Sequence, residues 1–200
     1  MIRFSHILLL SLSLGVANLA VASVADDFVQ CTACHGAQGQ GNAALGGPNL
    51  SGQSAEYLSR QLLQFLAGQR GDADSQGKQM QAIAQTFTEQ QLGDLSQHIA
   101  AQPIAATTSR DLPPEADLAR GSSYYQAKCG GCHGGQAQGN PAFKAPRLAG
   151  LELSYIKRQY AYFLAGTRGS HDRYGKQMKF MAKTLTDEAL QRDVFAYILS

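Results

Sequence analysis

The pentad CTACH stands at Cys31–His35 and returns as CGGCH at Cys129–His133. Each copy sets two thiols three positions apart and puts an imidazole directly after the second. This is the attachment pattern of a c-type haem: two cysteines at that spacing add to the two vinyl groups of one porphyrin, and the next residue brings a nitrogen to the iron. Other uses of four cysteines fit less well. A zinc ribbon needs its pairs far closer than Cys34 and Cys129 lie, and it would leave both histidines over. A redox disulfide belongs beside the βαβ pattern of a thioredoxin fold, which is missing here. Chance weakens sharply once the pentad occurs twice. Cys31, Cys34, Cys129 and Cys132 are therefore read as holding two covalently bound haem c groups, with His35 and His133 as iron ligands.

Working outward, a slide of the chain by 98 residues aligns much more than the pentads. QGN (Gln40–Asn42) meets QGN (Gln138–Asn140), FLAG (Phe65–Gly68) meets FLAG (Phe163–Gly166), and GKQM (Gly77–Met80) meets GKQM (Gly175–Met178). From Cys31 to Leu92 no gap is needed, and about half of the positions match. The unit is too long for a solenoid repeat. It has the size of a small domain whose apolar core alone would be marginal, and the covalent haem supplies what that core lacks.

The duplicated GKQM has a role in this scheme. An iron held by one histidine has a sixth position to fill, and a methionine thioether there raises the reduction potential. His35 to Met80 and His133 to Met178 are both 45 residues. Met1 and His6 fall in the leader, Met181 lies opposite Ile83 as a packing residue would, and neither His98 nor His171 faces a histidine across the repeat. Met80 and Met178 are thus the expected sixth ligands, against the plainer reading of two methionines packed in cores. Arg60, Arg70 and their twins Arg158 and Arg168 are candidates for pairing with haem propionates through a charged fork, or else sit on solvated helix faces. Tyr57 and Tyr155 either donate to a propionate or pack.

The first 25 residues read as a secretory signal: Arg3, an apolar run from Ile7 to Ala22, and small-residue cleavage sites ending at Ala22 and Ala25. A retained anchor is the competing reading, although the run is short beside the roughly 20 apolar residues of a membrane span. Export implies a periplasmic protein. Two domains are expected, at 26–102 and 115–200, joined by an extended Pro/Ala/Thr-rich linker over 103–114. Asp26 to Ser109 holds three basic and seven acidic side chains, net −4, whereas Arg110 to Ser200 holds thirteen and eight, net +5. That dipole can orient an approaching partner. No basic cluster with interleaved aromatics appears, so no nucleic acid is expected.

Local patterns predict an all-α fold. Ser54 opens a helix running to Gly68, with Leu58, Leu62, Phe65 and Leu66 on one side, and Ser154 and Gly166 bracket its twin. Thr88 and Gln91 form a capping box before Leu92, Leu95 and Ile99, and Thr186 opens the second copy. No alternating strand stands out, and glycine-rich loops such as Gly36–Gly52 suit the wrapping of a flat prosthetic group.

Together the paired pentads, the placed methionines, P-x-L-x-G, Y-x-x-R-Q and F-L-A-G-x-R-G resemble the cytochrome c4 family, dihaem periplasmic proteins built from two tandem class I cytochrome c domains. The resemblance covers essentially everything after the leader. It implies haems close together at a domain interface and electrons shuttled between respiratory complexes and a terminal oxidase; loose membrane association goes with the retained-anchor reading of the leader. It also implies that Pro48 and Pro146, thirteen residues after the histidines, accept the hydrogen bond from each ligand's other nitrogen, where a turn proline is the alternative. One departure stands out. Gly121 and Tyr125 precede Cys129 as the family pattern wants, but Ser23 and Asp27 hold those places before Cys31, so the first N-terminal helix is expected to be missing, very short, or continuous with the leader. With histidine and methionine on both irons no position is open to substrate, which points to outer-sphere electron transfer rather than catalysis. The alternatives are a cytochrome subunit of an exported dehydrogenase and a dihaem oxidase or peroxidase. Denatured monomer should stain for haem, and its intact mass should exceed the mature chain by two haem masses; one haem or none overturns the assignment.

Overall fold

The structure, a computed structural model, describes residues 23–105, 112–113 and 115–200. The expected leader before Ser23 and most of the linker lie outside these residues. Helix α1 (Val24–His35) opens on a reciprocal cap: the Ser23 hydroxyl accepts from the Asp26 N–H while the Asp26 carboxylate accepts from the Ser23 N–H. The first domain therefore has a full N-terminal helix of 12 residues, longer than the sequence pattern indicated. Where the second domain brings glycine and tyrosine to the helix crossing, α1 brings Asp27. It lies buried against α4 (Glu89–Ala100) and accepts a hydrogen bond from Gln91 Nε2 at 3.3 Å. The next residue, Phe28, sets its ring 5.3 Å from His98.

In the second domain α5 (Leu118–Lys128) crosses α9 (Glu188–Leu199) at closer range. A Cβ on Gly121 would lie 2.2 Å from the Asp193 carbonyl oxygen, so only glycine permits the approach. Tyr125 is fully buried there, its hydroxyl donating to the Gly134 carbonyl at 2.9 Å. α5 stops at Cys129 and a separate turn, α6 (Gly130–His133), carries the second histidine. α1 runs through the same point without a break. The difference follows from Gly130–Gly131 standing where the first domain has Thr32–Ala33, because glycine carries the larger entropic cost in a helix.

Each domain completes its frame with two further helices: α2 (Ala55–Leu66) and α3 (Ser75–Ala84) in the first, α7 (Leu153–Ala165) and α8 (Arg173–Ala182) in the second. Ser54 and Thr88 cap as the sequence predicts. Ser154 and Thr186 do not: α7 starts from Glu152, which makes no side-chain cap, and α9 starts from Asp187, whose carboxylate accepts from the Leu190 N–H. An aspartate next to a threonine outcompetes it as a cap acceptor. No strand forms among the described residues; the loops after each histidine hold single bridges, Asn42–Gly47 and Asn140–Ala145. Apolar burial splits into two clusters, one around Phe28, Leu58, Leu92, Leu95 and Ile99, the other around Tyr125, Ile156, Leu185, Val194 and Ile198.

Two glycines of these crossings should behave oppositely on substitution. Gly121→Ala drives a methyl into the α9 backbone and should cost about 3 kcal/mol, the upper end of overpacking. Gly93→Ala, in α4 with nothing within 4 Å of the new Cβ, should stabilise by ~0.5–1 kcal/mol. Guanidinium unfolding of the haem-loaded protein reads both.

Candidate haem-binding sites

His35 closes α1 and His133 closes α6, and both are buried. His35 Nδ1 lies 2.9 Å from the Pro48 carbonyl oxygen, and His133 Nδ1 lies 3.0 Å from that of Pro146. A carbonyl can only accept, so Nδ1 carries the proton in each ring and Nε2 keeps its lone pair for a metal. Burial holds both imidazoles below their ordinary pKa, partly opposed by the proline carbonyls, which keeps them in the neutral form that ligates. Burial pushes the Cys31 and Cys129 thiols up to about 11, with Asp27 and Cys34 adding to it for Cys31 and Cys132 for Cys129. A redox Cys-x-x-Cys pair depresses a thiol instead.

In the first domain Cys31, Cys34, His35, Pro48 and Met80 line one cavity, with Leu50, Leu62, Ile83 and Ile99 as apolar wall. A neighbouring lobe shares His35, Pro48 and Met80 and extends to the domain boundary. In the second domain Cys129, Cys132, His133, Pro146 and Met178 line the equivalent cavity. Met181 lines it too, and its twin Ile83 lines the first, so this pair belongs to the cavity walls rather than to a distant core. The two cysteine pairs serve separate cavities. Each methionine rides on a helix that hydrophobic periodicity did not reveal. Asp74 caps α3 through the Gly77 N–H at 2.5 Å, and Asp172 caps α8 through the Gly175 N–H at 2.6 Å. The signal was present, since an aspartate three residues before each GKQM glycine is identical in both repeats.

The domains meet where the two cavities approach each other, and they do so reciprocally. Arg70 donates to Gln61, to Gln159 at 3.2 Å and to the Tyr155 hydroxyl at 3.1 Å. Arg168 donates to Gln159, to Gln61 at 2.8 Å and to the Tyr57 hydroxyl at 3.3 Å. Arg70 stacks over Phe65 and Arg168 over Phe163. Burial pushes the Tyr155 phenol up, but Arg70 and Arg168 outweigh it and hold it below the usual range. No ion pair among the described residues includes either guanidinium. Two half-buried cations with amide and phenol partners, on a seam lining both cavities, fit a prosthetic group that carries carboxylates. With the apolar walls, neutral imidazoles and paired thiols, the residues present fit a haem in each domain.

Arg60 and Arg158 do not stay with their own domains. Arg60 lines the second cavity, where it pairs with Asp172 and donates to the Lys144 carbonyl at 2.9 Å. Arg158 lines the first, where it pairs with Asp74 at 3.2 Å and donates to the Gly46 carbonyl at 3.2 Å. The Nε atom of each is buried without a hydrogen-bond acceptor. Sequence matching paired these residues correctly but could not show that they cross the boundary.

Comparison with known proteins agrees with this geometry. The profile of the cytochrome c family matches twice, over residues 22–102 and 118–200. Cytochrome c4 of Stutzerimonas stutzeri is 36% identical over 80% of this chain and 81% of its own. The thiosulfate dehydrogenase electron acceptor of Thiomonas intermedia is 32% identical over 85% of this chain and 78% of its own. The crystal structure of reduced cytochrome c4 from Pseudomonas stutzeri superposes with a TM-score of 0.70 at 25% identity, covering 88% of this chain and 95% of that one. With two attachment pentads, two cavities built to match and these relatives, the chain belongs to the cytochrome c4 family, an electron-transfer protein with two covalently bound haem c groups.

Proposed function

We propose that His35 with Met80 and His133 with Met178 are the axial ligands of the two irons, and that the protein carries electrons in the periplasm between respiratory complexes and a terminal oxidase. The observation that carries this reading is the meeting of each repeat's thiols, histidine and GKQM methionine at one cavity. Bound haem supplies a one-electron couple, and the chain's part is to hold it rigid. The thioethers favour the reduced iron, while Pro48 and Pro146 fix each imidazole and raise its basicity. Arg70, Arg168, Arg60 and Arg158 offer positive charge to propionates at the seam. Among the described residues no helix is long and apolar enough to cross a membrane. Removal of the leader after Ala22, rather than Ala25, would preserve the Ser23 cap and the start of α1.

A second reading comes from the Thiomonas relative, described as the electron acceptor of thiosulfate dehydrogenase. On that reading the donor is an exported dehydrogenase, and copurification of a catalytic chain from periplasm separates the two.

Replacing Met80 or Met178 with alanine should remove about half of the weak red charge-transfer band of methionine-ligated ferric haem, and the double variant should lose all of it. The affected haem should fall in potential and begin to bind CO. Met181→Ala should cost packing and leave the band; if it abolishes the second haem's band while Met178→Ala does not, that ligand is misassigned. The charge split between the halves yields a separate expectation. Electron transfer with the physiological partner should change in rate as salt shortens the screening length to roughly 10 Å at 0.1 M. A rate flat in ionic strength removes steering and leaves the ligands untouched.

A further inference from the structure

The peptide group joining Pro48 to Asn49 is held from both sides. Its carbonyl accepts the His35 Nδ1–H at 2.9 Å, and its N–H donates to Glu152 Oε2 of the opposite domain at 3.4 Å. The peptide joining Pro146 to Arg147 is held in the same way. Its carbonyl accepts the His133 Nδ1–H at 3.0 Å, and its N–H donates to Gln53 Oε1 of the first domain at 3.1 Å. Gln53 also donates from Nε2 to the Arg147 carbonyl at 2.7 Å, so it grips that residue at both ends. The two acceptors differ in kind: one is a carboxylate, the other a neutral amide.

Nor are they products of the duplication. Gln53 falls opposite Leu151 and Glu152 opposite Ser54, so each domain reaches the same peptide group with a different residue. Both side chains are buried, at 5% exposure. Glu152 occupies the N-cap position of α7 yet makes no cap there; its carboxylate is turned to the neighbouring domain instead. Oε1 of that carboxylate is buried without a hydrogen-bond partner, over Gly41, where a Cβ would come within 2.4 Å of it. A carboxylate diverted from its own helix, buried, and half satisfied is costly to keep.

We infer that Glu152 is a positioning residue for the first haem, acting through the Pro48–Asn49 peptide on His35, and that it sets the first haem at a lower potential than the second, whose peptide is held by uncharged Gln53. Negative charge at the N–H end of a peptide group makes its carbonyl a stronger acceptor. A stronger bond at Nδ1 makes the imidazole a more basic ligand, which favours ferric iron. The field of the buried charge acts in the same direction. The electron carried by the molecule would then rest on the second haem, in the basic half. The inference rests on His35 and His133 being axial ligands.

The test uses the haem-loaded chain at pH 8, well above the ordinary carboxylate range. In Glu152→Gln the first haem's redox equilibrium should shift toward ferrous by about tenfold, about 59 mV for a one-electron couple. The second haem should move much less. In proton NMR of the reduced protein, the His35 Nδ1–H resonance should shift while that of His133 stays. Gln53→Glu should do the reverse, lowering the second haem. If Glu152→Gln moves neither potential, or both equally, with the methionine band intact, the inference is overturned. If Glu152→Gln fails to fold with both haems, Gln53→Glu decides, and an unmoved second haem overturns it. A wrong axial assignment would instead appear in the Met80→Ala and Met178→Ala spectra, which do not depend on Glu152.

Discussion

Asp74 gives one carboxylate oxygen to the first turn of α3 and the other to Tyr162 and Arg158 of the opposite domain, while Asp172 does the same for α8 with Gln64 and Arg60. As a cap alone each aspartate contributes about 1 kcal/mol. Its larger effect is geometric, because the helix it starts is the one that carries a methionine to the cavity. The methionine side of each haem site is therefore braced by the other domain. The histidine side is braced likewise, through the Pro48–Asn49 and Pro146–Arg147 peptides. Neither domain sets its own iron environment alone.

This mutual bracing explains why so many charged and polar groups lie at a boundary that apolar packing would ordinarily fill. The aspartate–arginine pairs are only about one-fifth exposed, so they count for more than surface pairs, which contribute little. Arg70 and Arg168 are placed where acidic groups of a haem would offset their burial cost. A site organised in this way loses little energy to reorganisation when an iron changes charge, because the surrounding dipoles are already held. That suits a carrier whose irons only change charge.

Much of this was legible in the chain. The pentads, the methionines 45 residues after each histidine and the prolines thirteen residues after it all line the two cavities, and they stand out in the sequence because each recurs at the same offset. The helices α2 and α4 were legible from caps and apolar spacing. What escaped was of two kinds. Helix α1 was underestimated because its crossing uses Asp27 and Gln91, a polar pair where the family pattern has glycine and an aromatic. The cross-domain partners escaped because a repeat alignment says which residues correspond, not which ones touch. Arg60 and Arg158 look like domain-internal twins until their pairing with Asp172 and Asp74 is seen.

Those two pairs have the form of a contact between identical subunits, in which residue i of one meets j of the other and j meets i. The interface is that of a dimer whose halves have been joined in one chain. Joining makes association intramolecular and independent of protein concentration, but its deeper consequence is release from sameness. In a homodimer every substitution appears twice, so neither half can become acidic while the other becomes basic, and neither iron can be given a neighbour that the other lacks. Once the halves share a chain, Glu152 and Gln53 can differ, and the molecule can acquire a direction.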